Sequence, residues 1–185
     1  MSSSPQVRRQ DKMMTDERTR EALAQGFCGR LATVSKDGSP YCVPLLYVWL
    51  DGEIYLHNTS ALGHLRTNVE HEARVCFEID EPGQVFDYGR FECDSSVSYC
   101  SVIAHGRARI VTDAAAKQRF CEALMAKYRK DKAERPKGFF PRLGEITVYA
   151  IAIDRMTGKA LALPDVSQQW PAVDMTKSPR AVAPT

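Results

Sequence analysis

The segment LHNTSALGHLRTN, residues 56–68, collects polar groups at the end of an apolar run. Its spacing predicts a strand ending at Asn58 and a helix running from about Ser60 to Glu70. Asn58, Thr59 and Ser60 would then sit beside the first free N–H groups of that helix, a natural cradle for an anion. His64 and Arg66 follow four and six residues after Ser60, and both can lean back toward the same end. Cations sit poorly at the positive end of a helix unless an anion joins them. The expected anion is a ligand phosphate, although hydroxyl caps followed by basic residues also suit an ordinary surface helix.

His57 invites a second reading. In an alternating strand, Tyr55 and His57 share one face while Ile54 and Leu56 share the other. A histidine there is either a general acid–base group titrating near neutrality or a hydrogen-bonded surface residue. The neighbouring run VPLLYVW contains Pro44, which implies an edge strand or a bulge with unpaired backbone groups. Apolar walls with a few free backbone groups suit a planar ring, and equally a plain core.

The elements that must position these residues are legible in outline. Residues 1–14 read as a flexible arm, 15–163 as the folded domain and 164–185 as an extended, Pro-rich arm. TDERTREALAQG predicts a helix capped by Thr15 and stopped by Gly26. GRLATVSKDGSPYCVPLLYVWLDGEIYLHN predicts a three-strand meander with turns at Asp37-Gly38 and Asp51-Gly52. ARVCFEID predicts a fourth strand, and residues 80–97 a long loop. SYCSVIAHGRARIV predicts a long strand with a bulge or bend at Gly106. A helix with Phe120, Cys121, Leu124, Met125 and Tyr128 on its buried face follows. EITVYAIAIDRMTGKALAL gives a sixth strand, with a seventh after a Thr157-Gly158 turn. Trp170 is out of place in a solvated tail and is expected to dock on the barrel or on a partner subunit. The fold class is mainly β (α+β): a six- to seven-stranded split β-barrel with flanking helices.

Composition narrows the function. Apolar residues make up 44% of the 185 and charged residues 26%, with a net charge of +2. That balance argues against a dedicated nucleic-acid binder. No stretch approaches a membrane span and no apolar leader is visible, so the chain is expected in the cytoplasm. The six cysteines lack metal-ligand spacing and are expected as reduced, mostly buried thiols.

The run ATVSKDGSPYCVPLLYVWLDGEIYLHNTSALGHLRTNVEHEARVCFEID, with SYCSVIAHGRARIV, VYAIAIDRMTGK and a distal QW, resembles the flavin-binding split-barrel superfamily that includes pyridoxamine 5′-phosphate oxidase. More narrowly it resembles the 5-nitroimidazole resistance (Nim) proteins, from about Arg20 to Pro171. The resemblance implies a homodimer with FMN, or alternatively FAD, in clefts at the subunit interface. It places the active-site histidine at His57 and the phosphate elbow at Asn58, Thr59, Ser60 and the helix start His64, Leu65 and Arg66. Val43, Pro44, Leu45 and Leu46 would flank the ring, and Trp170 would reach the cleft or the partner. His64 stands where relatives carry lysine or arginine, so phosphate affinity is expected to be weaker and pH-dependent, with Arg66 compensating.

The function so implied is an FMN-dependent reductase of nitroimidazole-like or other small electron-poor compounds, with NAD(P)H as external donor. No G-x-G-x-x-G fingerprint marks a separate dinucleotide domain. The alternatives are another oxidase on the same scaffold, such as a pyridoxamine-phosphate oxidase, or a non-catalytic flavin- or haem-binding protein using His57 or His105 as axial ligand.

Overall fold

The computed structural model of the chain describes residues 7–129 and 137–170. The first six residues and the C-terminal arm beyond Trp170 lie outside this description. Helix α1 (Asp16–Gln25) starts and stops as its caps dictate: the Thr15 hydroxyl accepts the Arg18 N–H at 3.3 Å, and Gly26 follows the last turn. The segment before it lies against the sheet. Met13 bridges to Lys159, while Met14 is buried and its N–H donates to the Gly158 carbonyl at 3.0 Å.

Seven strands follow: β1 (Gly29–Val34), β2 (Pro40–Leu45), β3 (Tyr47–Leu50), β4 (Glu53–Thr59), β5 (Arg74–Asp87), β6 (Ser95–Val111) and β7 (Ile146–Leu161). Helix α2 (His64–His71) separates β4 from β5, and α3 (Ala114–Tyr128) separates β6 from β7. Every pairing is antiparallel, in the order β2-β1-β5-β6-β7-β4-β3. Only Leu46 lies between β2 and β3, yet these strands occupy opposite ends of the sheet. Two residues span at most about 7 Å, whereas a flat seven-stranded sheet would be about 29 Å wide. The sheet must therefore curl until its two edges meet at Leu46, which makes a split barrel.

This corrects the expected meander. The run PYCVPLLYVWL is not one strand but two, and each half takes a different partner. β2 pairs with β1, while β3 pairs with β4 around Asp51-Gly52, where φ is +53° and +82° as a type I′ turn requires. β2 is an edge strand, in keeping with Pro44, which has no N–H to offer.

Three other expectations change. The long loop at 80–97 is largely strand: β5 and β6 continue as a two-stranded ribbon, joined by residues 88–94. Pro82 and Gly83 sit in an irregularity of that ribbon, where the Ser98 hydroxyl accepts the Gln84 N–H at 2.9 Å. There is no turn at Thr157-Gly158, because β7 runs through it. Gly158 is needed there for packing, since a Cβ would lie 2.4 Å from the Thr19 hydroxyl oxygen. Met125 is exposed, whereas Phe120, Cys121 and Leu124 are buried. The expected bulge at Gly106 is present, and a Cβ there would meet the Ala152 carbonyl oxygen at 2.2 Å.

Two apolar clusters hold the fold. Leu31, Tyr47, Leu56, Phe77, Tyr149 and Ile151 fill the barrel interior, which α1 closes with Leu23 and α2 with Leu65 and Val69. Outside, α3 lays Phe120, Cys121 and Leu124 over Val48, Tyr55, Val148 and Ala150. No helix among the described residues is long and apolar enough to cross a membrane.

Candidate functional site

β4 alternates as its sequence dictates. Ile54 and Leu56 enter the barrel, and Tyr55 and His57 face outward toward α3. Asn58 accepts a hydrogen bond on its side-chain oxygen from the buried Tyr149 hydroxyl at 3.1 Å. The strand ends at Thr59, and the Ser60 N–H donates to the Glu145 carbonyl at 2.9 Å, tying the elbow to the start of β7.

Helix α2 starts later than expected, at His64 rather than Ser60, because Gly63 takes the extended N-cap conformation. Asn58, Thr59 and Ser60 therefore do not cap it, and Thr59 and Ser60 are exposed on the approach. Gly63 has no side chain to cap with, so the first N–H groups of α2 receive no side-chain acceptor. A bound anion would fill that role. Three side chains anchor the helix: Leu65 and Val69 are buried in the barrel mouth, and the Asn68 amide donates to the Thr33 hydroxyl at 3.0 Å. Leu65 thus offers a ligand only its backbone N–H.

The cations take up different positions. His64 is exposed, with its ring centroid 5.4 Å from that of Tyr41 on β2. Arg66 leans back to the elbow, donating to the Ser60 carbonyl at 3.3 Å, and pairs with Glu70 at 2.9 Å. The hydrogen bond to Glu70 raises the pKa of Arg66 above its ordinary value. Tyr41, Glu70 and Tyr149 complete this neighbourhood; sequence spacing singled out none of them, since each reaches it only through strand pairing or helix packing.

The four β2 candidates divide by the pleat. Val43 and Leu45 pack partly against the barrel core, whereas Pro44 and Leu46 are exposed. Only Pro44 and Leu46 are free to flank a ring. His57 is half-buried against Phe120, with centroids 5.4 Å apart, and its Nδ1 is buried without a hydrogen-bond partner. Burial lowers its pKa, so the imidazole is neutral at pH 7. Its side chain is on the α3 face, not among the His64 and Arg66 groups. Trp170 is not brought to the elbow either. Its backbone N–H donates to the Asp87 carbonyl at 2.9 Å, and it lines a 280 Å³ cavity with Arg90 and Phe91 at the β5–β6 connection. Among the described residues no group of three or more His, Cys, Asp or Glu is placed to hold a metal ion.

An antiparallel seven-stranded sheet that closes at β2/β3 and carries flanking helices is a split barrel of the pyridoxamine 5′-phosphate oxidase type. The sequence profile of the pyridoxamine 5′-phosphate oxidase family matches residues 15–160, and the chain belongs to that family. Solved structures with the same fold include a flavocytochrome from Azotobacter vinelandii (20% identity, TM-score 0.69, covering 88% of this chain and 76% of that one). An FAD-binding protein from Mesorhizobium loti is 24% identical, with a TM-score of 0.60 over 82% of this chain and 98% of that one. A Bacteroides thetaiotaomicron protein proposed to confer 5-nitroimidazole antibiotic resistance is 20% identical, with a TM-score of 0.66 over 80% and 86%. At these identities the likeness carries the fold. No curated protein matches the chain significantly.

Proposed function

We propose that the chain is a flavin-dependent oxidoreductase that reduces small electron-poor compounds of the nitroimidazole type. The observation that carries this reading is the uncapped start of α2, which presents free N–H groups beside His64 and Arg66, next to Tyr41 of the edge strand β2. A flavin phosphate, FMN in the first instance and FAD otherwise, would accept from those N–H groups and from His64, and would offset the charge of Arg66. Pro44 and Leu46 would lie along the ring. The FAD-binding and flavocytochrome structures that share the fold support the same assignment.

The bound flavin would supply the electron transfer, with NAD(P)H as its source. The protein's part is to hold the ring and to keep its reactive edge away from bulk water. His57, neutral at pH 7, would orient the substrate by a hydrogen bond from its ring N–H rather than release a proton as an imidazolium. The functional unit would be a cytoplasmic homodimer, with the second copy closing the cleft along the exposed side of β2.

The test is direct. Protein purified and incubated with FMN or FAD should show a two-banded flavin spectrum, and mass spectrometry of the ligand released on denaturation should identify the nucleotide. No bound flavin after incubation with excess FMN and FAD would overturn the reading. Haem binding through His57 or His105 is the second reading, favoured by the orphan Nδ1 of His57 and by the flavocytochrome relative. A Soret band would select it. Turnover of pyridoxamine phosphate, with none of nitro compounds, would select the remaining alternative.

A further inference from the structure

The outer face of β1, β5 and β6 is not covered by any described helix, and its pairing brings Ala32, Cys76 and His105 into one row. Next to this row the β1–β2 turn overhangs the end of α2, enclosing a depression of about 540 Å³. That volume suits a small ligand. None of the residues assigned above to the flavin lines it, and it lies at the C-terminal end of α2, seven residues from His64.

Its lining has one chemical character. Lys36, His71, Arg74 and His105 surround an apolar wall made by Ala32, Val34 and Cys76. Glu72 is the one carboxylate in the lining, and Arg74 holds it twice: a 2.7 Å ion pair from the guanidinium and a 2.9 Å bond from the backbone N–H. That pairing lowers the Glu72 pKa to about 2. Asp37, in the overhanging turn, is turned to the Ser39 N–H at 3.0 Å. The field is reinforced across the strands, where Arg107 stands opposite Arg74 and Arg155 opposite His105.

A concave site with the Lys36 ammonium and two imidazoles at its rim, its one acid held by Arg74, and an apolar wall suits an anion with an apolar body. We infer that the depression between the β1–β2 turn, the end of α2 and the Cys76–His105 row binds a small carboxylate carried on a compact aromatic or aliphatic group. The site does not rest on the flavin reading, and the second copy proposed along the exposed side of β2 would border it at Cys42, which pairs with Ala32.

Benzoate is the probe, with benzyl alcohol as its neutral counterpart and inorganic phosphate as the anion without an apolar body. Titrated into the full-length ¹⁵N-labelled protein, benzoate should saturably shift the amides of Ala32, Cys76 and His105 and bind more tightly than either control. Lys36→Ala with His105→Ala should weaken benzoate about tenfold, the scale of one lost charge-assisted contact. Lys36→Glu, on the exposed turn, should do the same if the double variant misfolds. The His64→Ala/Arg66→Ala variant should bind benzoate like the wild type, whether or not it holds flavin. Absence of a saturable shift, equal binding of benzyl alcohol or of phosphate, or undiminished binding by the Lys36 variants would overturn the inference.

Discussion

The ring of His57 rests against the ring of Phe120, with centroids 5.4 Å apart and planes inclined at 59°. One residue is on β4 and the other on α3, 63 positions later in the chain, so the contact exists only because α3 packs on the outside of the barrel. It removes Nδ1 from water without giving it a partner and keeps the ring uncharged.

A folded-state pKa below the ordinary 6.5 means that the unfolded chain binds more protons between the two values. Stability should therefore rise with pH through that window and fall as pH drops below 6.5. His57→Phe, which keeps a ring against Phe120, should flatten this acid limb. Urea denaturation at pH 5 and pH 7.5 measures it; an unchanged slope in the variant would assign the limb to other groups.

His57→Ala tests the other role of the residue. The protein should retain its flavin and lose turnover of a nitroimidazole. Retained turnover at the wild-type rate would remove His57 from substrate binding.

Replacing both His64 and Arg66 with alanine should release the flavin while leaving the fold intact, because Leu65 and Asn68 anchor α2. Equilibrium dialysis measures the loss, expected at about 100-fold for two charge-assisted contacts. Full retention would locate the phosphate elsewhere.

The Tyr128 hydroxyl clasps the crossing between β2 and β3. It accepts the Tyr47 N–H at 3.3 Å and lies 2.6 Å from the Phe27 carbonyl, to which it donates. Tyr128→Phe should cost about 1–2 kcal/mol, since it strips a partner from half-buried backbone groups. Chemical denaturation reads the cost, and a flavin affinity that falls with it would tie the crossing to the ring-binding edge.

Lys127 provides a test of opposite sign. Its Nζ is buried, lacks a hydrogen-bond partner and lies 3.9 Å from the centre of the Tyr47 ring; burial lowers its pKa to about 8. The unfolded chain holds that proton up to about 10.5, so stability from this group should rise as pH increases from 8 to 10.5. Lys127→Met should stabilise the protein at pH 7 by on the order of 1 kcal/mol, a value reduced because the lysine stem is half-exposed. A lower Tm in Lys127→Met at pH 7 would show that the contact with Tyr47 outweighs the burial of charge.

What the sequence by itself determined is local. Thr15, Gly26, Asp51-Gly52 and the bulge at Gly106 act through a few neighbouring backbone atoms, and all four appear where residue chemistry puts them. The inward and outward faces of β4 follow from the period of two and are equally legible. Only the tertiary structure decided which strands are neighbours. PYCVPLLYVWL reads as one apolar run, and nothing within it says that its halves close a barrel from opposite ends. Gly83 and Gly158 resemble turn residues, although each is small because Ser98 or Thr19 presses on it from a distant element. The candidate site divides along the same line. The cations of the elbow are visible in the chain, but the helix start at His64, the burial of Leu65 and the turning of His57 toward Phe120 depend on packing between residues far apart in sequence. Backbone chemistry acts over three or four residues, whereas burial is set by whatever surface the folded chain brings into contact.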